Sequence, residues 1–302
     1  MSKKLTLIIL LIKSLFLIVS AQSNPAKNNL ATKIDLSTII QVNQGNSYIT
    51  SPTDIGNIEP LMFEANIIPN FLIRTSKDAR LMGVLTAQII IRMYNEYSHP
   101  VRTPSYMPHI TIYYRLSDKE KVKRITTFAR YEHHSNGQDG DFFLDDGSPN
   151  LKTGDFSTNF FETGFIKTFY NQRLKAVQFF SSSFEWHPES LTNNDLIGSY
   201  SLYRWNNSFS VFKLPETSKN GKKKARLSVK ADASWMFGDL FDWKATSLNR
   251  LNIGLTAFYS PKFLEDIGFF VHYYHGLDYY NMYYSHQLDV LRFGIMTEIL
   301  RF

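Results

Sequence analysis

Residues 125 to 137 read ITTFARYEHHSNG, and within them lie a base and a hydroxyl two positions apart, His133 and Ser135. A serine becomes a nucleophile when an imidazole within hydrogen-bond reach takes its proton, a third group holds that imidazole in one tautomer, and donors await the developing oxyanion. In a strand, side chains alternate between faces with period two. Ile125, Thr127, Ala129 and Tyr131 therefore form a mainly apolar row that runs into His133 and Ser135. Arg124, Thr126, Arg130, Glu132 and His134 point the other way, with Phe128 the one misfit. A hydrolytic pair on an apolar face makes sense in a barrel whose outer wall touches lipid. Gly137 follows two residues later and offers an unshielded backbone N–H to the oxyanion.

The third group must come from another strand. Asn159, Phe161, Thr163, Phe165, Lys167 and Phe169 make a largely aromatic row, so Asn159 is expected on the outward face, one strand over from His133. An amide orients an imidazole without a charge, which suits a face where an unpaired carboxylate is costly. The intervening loop carries Asp139, Asp141, Asp145, Asp146 and Asp155, and a loop aspartate is the alternative orienting group.

These residues need a scaffold, and composition bounds it. Lys3 and Lys4 precede an apolar run that ends at Val19-Ser20-Ala21, the pattern of an export signal over residues 1 to 21. Beyond it no apolar run is long enough for a membrane helix. With no cysteine among the 302 residues, disulfides, thiolate metal sites and thiol catalysis are excluded. Aromatics make up 15% of the chain, with 24 Phe and 17 Tyr, an excess that membrane barrels place in interfacial girdles. Much of the net charge of +6 comes from the signal and from Lys219 to Arg226, read as a solvated turn, so no nucleic-acid partner is expected.

Residues 22 to 58 are polar and read as an irregular lead-in with one short strand near Tyr48-Ile49-Thr50. From about residue 59 the chain is a succession of Ile-, Phe-, Tyr-, Val- and Thr-rich runs divided by Gly, Pro, Asn and Asp clusters. Strands are expected near 61–74, 80–95, 107–117, 122–135, 158–170, 175–187, 195–213, 224–236, 248–260, 265–275 and 286–302. With the early one they number twelve. Their connections mostly alternate short and long, as in outer-membrane barrels, and the chain closes on Phe302, a terminal aromatic typical of such strands. The expectation is an all-β fold, a twelve-stranded antiparallel transmembrane β-barrel over residues 59 to 302. His272 and His275, without partners at metal spacing, are read as interface or loop residues.

His133-His134-Ser135-Asn136-Gly137 resembles the H-x-S-N-G motif of the outer membrane phospholipase A family. Pro100-Val101-Arg102, followed by Tyr106 and Pro108, is similar to a second family segment, with His99 interposed after Ser98. The closing YSHQLDVLRFGIMTEILRF resembles the family's last strand. The resemblance spans roughly residues 46 to 302. It implies calcium-dependent hydrolysis of acyl esters of membrane phospholipids by a homodimer in the outer membrane of a Gram-negative bacterium. It implies Ser135 as nucleophile, His133 as base, Asn159 as orienting amide and Gly137 as oxyanion donor. Calcium (Ca2+) would be held by Gln138, Asp155 and Ser98 of the other subunit. The family's arginine after the glycine is Gln138 here, and the loop from Gln138 to Thr158 is longer than usual. A barrel without catalysis, a channel or an inactive family member, is the alternative.

Overall fold

The computed structural model describes residues 34–51, 54–76, 78–117, 124–213 and 225–297. The expected signal segment, the basic run before Ala225 and the terminal Phe302 lie outside them. Thirteen strand segments appear: β1 (Tyr48–Thr50), β2 (Leu61–Ile67), β3 (Asn70–Ile73), β4 (Leu81–Tyr94), β5 (Ser105–Arg115), β6 (Arg124–Ser135), β7 (Ser157–Asn171), β8 (Ala176–Trp186), β9 (Tyr203–Lys213), β10 (Leu227–Phe237), β11 (Leu251–Tyr259), β12 (Ile267–Leu277) and β13 (Gln287–Thr297). They form twelve wall strands, because β2 and β3 hold one continuous register against β4: Ile67 faces Ile89 and Asn70 faces Thr86. The interruption falls at Ile68-Pro69, where proline has no N–H to give the ladder.

Every neighbouring pair is antiparallel, and β1 closes the ring by pairing with both β13 and β2. Closure leaves β1 no open edge, which is how barrels escape edge-to-edge aggregation. Alternation along each strand then separates two environments. Outward positions include Ile110, Ile112 and Tyr114 on β5, Phe161 and Phe165 on β7, and Phe269, Val271 and Tyr273 on β12, all with exposed side chains. Apolar area costs about 25 cal/mol per Å² when left in water, so a wall of this composition belongs in hydrocarbon. Among the described residues no helix is long and apolar enough to span a membrane, and the chain crosses with its strands.

Many inward positions are polar, and several carry paired charges. Arg92 donates to Glu64 at 2.8 Å and forms a double contact with Asp278 at 2.7 and 2.9 Å, while Arg292 Nε donates to Asp54 at 2.9 Å. Buried charges survive when partnered, and each of these faces an opposite charge within 3 Å, although Nη1 and Nη2 of Arg292 and Oδ1 of Asp54 make no hydrogen bond among the described residues. At the end carrying the long connections, Tyr280, Tyr283 and Tyr94 cover this network.

The other end holds a departure from the expected irregular lead-in. Residues Leu36–Gln44 form helix α1, capped by Asp35, whose carboxylate accepts from the Thr38 N–H at 2.8 Å. Leu36, Ile39 and Ile40 fall at i, i+3 and i+4 and pack on Met82, Val84, Tyr113, Phe128, Ile166, Phe179 and Phe212. This explains Phe128, the misfit of its inward row: it lines the seat of the helix. Beyond the apolar face, Asn43 and Gln44 donate to the Tyr113 hydroxyl at 2.8 and 3.0 Å. His272 also departs from expectation, since it faces the lumen and bonds Thr256 at 2.9 Å. A cavity of about 500 Å³ with mixed polar and apolar lining remains between the helix and the ion-pair network.

Candidate active site

Strand β6 alternates as its sequence dictates, with Ile125, Ala129 and Tyr131 exposed, and Phe128, Glu132 and His134 buried. His133 and Ser135 therefore project from the outer wall. A rise of about 3.3 Å per residue sets their Cα atoms about 6.6 Å apart, a span the imidazole and hydroxyl can bridge. Among the described residues no hydrogen bond joins the two side chains in this conformation.

Register brings the third residue. His133 on β6 is paired directly with Asn159 on β7, and Ser135 with Ser157. The Asn159 Oδ1 lies 3.0 Å from His133 Nδ1 and also accepts from the Tyr131 hydroxyl at 2.9 Å. Its amide nitrogen donates to the Leu191 carbonyl at 2.8 Å. That fixes which end of the amide faces the imidazole, because a carbonyl acceptor at Leu191 requires the NH2 there. The proton of His133 is thereby directed to Nδ1, leaving Nε2 as the basic nitrogen. No loop aspartate bonds this imidazole among the described residues.

Two further features frame Ser135. Asn136 is fully buried, and its side chain ties the loop that leaves the strand: Nδ2 donates to the Gly154 carbonyl at 2.7 Å, and Oδ1 accepts from the N–H groups of Phe156 at 3.1 Å and Gln138 at 3.3 Å. Gly137 then adopts φ +67°, a region open to glycine and strained for other residues. A Cβ there would stand 3.4 Å from the ring of Tyr106, which is itself paired with Ser135 across β5 and β6. The two sequence motifs thus meet, with the Pro100 to Pro108 segment supplying the aromatic wall beside the serine.

Arg102 from that segment works elsewhere, in the outer loops. It donates to Glu59 at 2.6 Å and to the Tyr283 hydroxyl at 2.9 Å, also pairs with Glu96, and lies over the Tyr94 ring at 4.2 Å. Burial alone would raise the Glu59 carboxyl, but the bonds from Arg102 and Tyr283 outweigh it and hold its pKa below the usual carboxylate range.

The expected calcium ligands are less gathered. Ser98 sits on the β4–β5 connection with φ 67°, and no hydrogen bond or ion pair links it to Gln138 or Asp155 among the described residues. Asp155 precedes β7; its N–H donates to the Gly140 carbonyl at 3.0 Å and its Oδ2 accepts from Asn193 at 3.2 Å. Among the described residues no three His, Cys, Asp or Glu side chains converge, so a cation here would depend on Asp155 and main-chain oxygens. Asp155, whose Oδ2 is held by Asn193, offers a carboxylate, the donor type that fits a hard cation such as Ca2+.

The β8–β9 connection runs over residues 187 to 202, longer than the expected strand at 195–213 allowed, and it packs against the start of β7, a contact that sequence reasoning missed. His187 is buried behind Asn159; its Nε2 donates to the Glu185 carboxylate at 2.7 Å and its Nδ1 meets the Thr158 hydroxyl at 2.9 Å. Burial pushes its pKa down against the opposing pull of Glu185. The signal available in sequence was faint: Thr192-Asn193 before an Asp, a turn pattern common to any loop.

No family model matches the sequence, and no curated protein matches it. Solved structures do match by fold. Outer membrane phospholipase A from Escherichia coli superposes with a TM-score of 0.57 at 11% identity, covering 88% of this chain and 98% of that one. An active-site mutant of the same protein gives 0.56 at 10% identity over 93% and 95%. The Salmonella typhi outer membrane phospholipase dimer with bound calcium gives 0.54 at 12% identity over 85% and 92%. What this chain shares with them is architecture: a closed, twelve-stranded antiparallel barrel of the kind that spans the outer membrane of Gram-negative bacteria.

Proposed function

We propose that the chain is a phospholipase A that hydrolyses acyl esters of membrane phospholipids at the outer wall of the barrel. The observation that carries the reading is the 3.0 Å contact between His133 Nδ1 and Asn159 Oδ1 on the lipid-facing surface, with Ser135 two residues along the same face. The Ser135 hydroxyl attacks the ester carbonyl while His133 Nε2 takes its proton. Asn159 holds the ring and stabilises the imidazolium that forms, as the third member of a triad does. The tetrahedral oxyanion receives the Gly137 N–H. Collapse returns the proton from His133 to the departing lysophospholipid, and water activated by the same imidazole then releases the fatty acid from Ser135.

Gln138 through its carbonyl and Asp155 through its carboxylate would hold calcium, completed by the Ser98 carbonyl of a second copy, and the ion would supply positive charge that stabilises the developing negative charge. One chain holds two of these ligands, which is why the active form is proposed to be a homodimer.

A channel is the competing reading, and the obstructed lumen disfavours it. Helix α1 packs inside the barrel at one end, and the Arg92–Glu64–Asp278 network lies against Tyr280 and Tyr283 at the other, with the cavity of about 500 Å³ between them. Purified barrel in detergent, assayed for fatty-acid release from dispersed phospholipid, tests the proposal. Release should require calcium and vanish in Ser135→Ala. Release that survives this substitution rules out the mechanism.

A further inference from the structure

Three consecutive residues of the β8–β9 connection grip the start of β7. Leu191 offers its carbonyl to the Asn159 amide at 2.8 Å, and the Thr192 hydroxyl meets that of Thr158 at 3.0 Å. The Asn193 N–H donates to the Ser157 carbonyl at 2.8 Å. The Asn193 side chain reaches further: its Nδ2 donates to Asp155 twice, to Oδ2 at 3.2 Å and to the main-chain carbonyl at 3.3 Å. Its Oδ1 accepts from the Asp195 N–H at 3.0 Å and caps the short helical turn Asn194–Leu196. The loop is anchored in turn, since Leu196 is fully buried against Phe142, Phe156, Tyr200 and Met282.

One rigid connection therefore fixes both the amide that faces His133 and the carboxylate four residues before it. We propose that Asn193 is a positioning residue that presents the Asp155 carboxylate for calcium, so that the β8–β9 connection sets the calcium requirement of the enzyme. The inference rests on the phospholipase reading for its kinetic consequence and on geometry for its binding consequence. A neutral donor suits the task. It orients Oδ2 without neutralising it, whereas a lysine would compete with the cation for the charge.

The discriminating variant is Asn193→Ser. Serine keeps an oxygen that can cap the Asp195 N–H, but it is too short to reach Asp155. Calcium binding is measured by titration calorimetry on the full barrel in detergent, and fatty-acid release is followed across the same calcium range. Loss of a hydrogen bond to a charged group predicts a half-saturating calcium concentration about tenfold higher in both measurements. The rate at saturating calcium and the heat-modifiable gel migration of the folded barrel should stay unchanged. Calcium binding unchanged by Asn193→Ser, or absent from the parent protein, overturns the inference. A parent that binds calcium with the predicted shift yet releases no fatty acid leaves Asn193 in place and instead overturns the phospholipase reading.

Discussion

Replacing Asn159 by alanine removes one acceptor and one donor from the outer wall, and each loss has a separate consequence. The acceptor bonds His133 Nδ1 at 3.0 Å and the Tyr131 hydroxyl at 2.9 Å; the donor holds the Leu191 carbonyl. In the proposed reaction His133 is neutral in the ground state and cationic in the transition state, so the bond to Oδ1 strengthens as the reaction proceeds. A hydrogen bond to a charged group contributes about 1.5–3 kcal/mol, and each 1.36 kcal/mol is tenfold in rate. Asn159→Ala should therefore lower kcat roughly 10- to 150-fold. KM should change little, because the amide does not have to touch the ester. Ser135→Ala, which removes the nucleophile, should fall to background. The assay is fatty-acid release from mixed micelles at saturating calcium, with folded barrel confirmed by its gel migration. Tyr131→Phe is the control: it deletes the competing donor to Oδ1 and leaves the imidazole contact, so its rate should stay close to that of the parent. If Asn159→Ala retains the parental kcat while Ser135→Ala is inactive, His133 is oriented by another group and the β6–β7 pairing does not make the triad.

Gly137→Ala should keep the barrel folded and slow the reaction, because alanine at φ +67° is strained by about 1–2 kcal/mol and its Cβ meets the Tyr106 ring at 3.4 Å; kcat measured against calcium-saturated parent checks it. Asp155→Ala should remove the calcium response altogether, as read by release with and without a chelator. The Glu59 carboxyl is held below its ordinary pKa, so its contribution to stability is present above the unfolded-state value and is lost as pH falls through the lower folded-state one. Thermal midpoints taken from pH 7 down to about pH 3 should fall more steeply for the parent than for Glu59→Gln. Ile40→Ala empties part of the helix seat and should cost about 2–5 kcal/mol, seen as a lower temperature of gel-shift unfolding.

The wall of the barrel was legible because membrane strands write their environment into period two. Every expected strand from 61 onward has a counterpart, and Ile125 to Ser135 alternates as its residue types require. Helix α1 was not legible, since its nine residues are too few to establish a helical period by themselves, and the seat of Leu36, Ile39 and Ile40 is assembled from six different wall strands. The outward phase of His133 and Asn159 could be read one strand at a time. Their direct opposition could not, because register across a loop as long as residues 136 to 156 depends on how Asn136 folds that loop back. The contacts of the 187–202 connection could not be read for the same reason: its partners Asp155, Thr158 and Asn159 lie 29 to 38 residues away in sequence.

The choice of an amide at Asn159 follows from where the strands put it. On a lipid-facing wall an ionised carboxylate would face hydrocarbon on one side and a neutral imidazole on the other, and desolvation of that charge is costly. An amide avoids the charge, but only if both of its ends are satisfied; an unpaired NH2 beside lipid would itself be unfavourable. Leu191 satisfies it at 2.8 Å, from a connection whose position is fixed by the buried Leu196. The orientation of the amide, and through it the tautomer of His133, is thus decided by a carbonyl on a loop that, among the described residues, hydrogen-bonds neither Ser135 nor His133. Shortening that loop should therefore damage the reaction even though every proposed catalytic side chain remains, and introducing a carboxylate by Asn159→Asp should not rescue it.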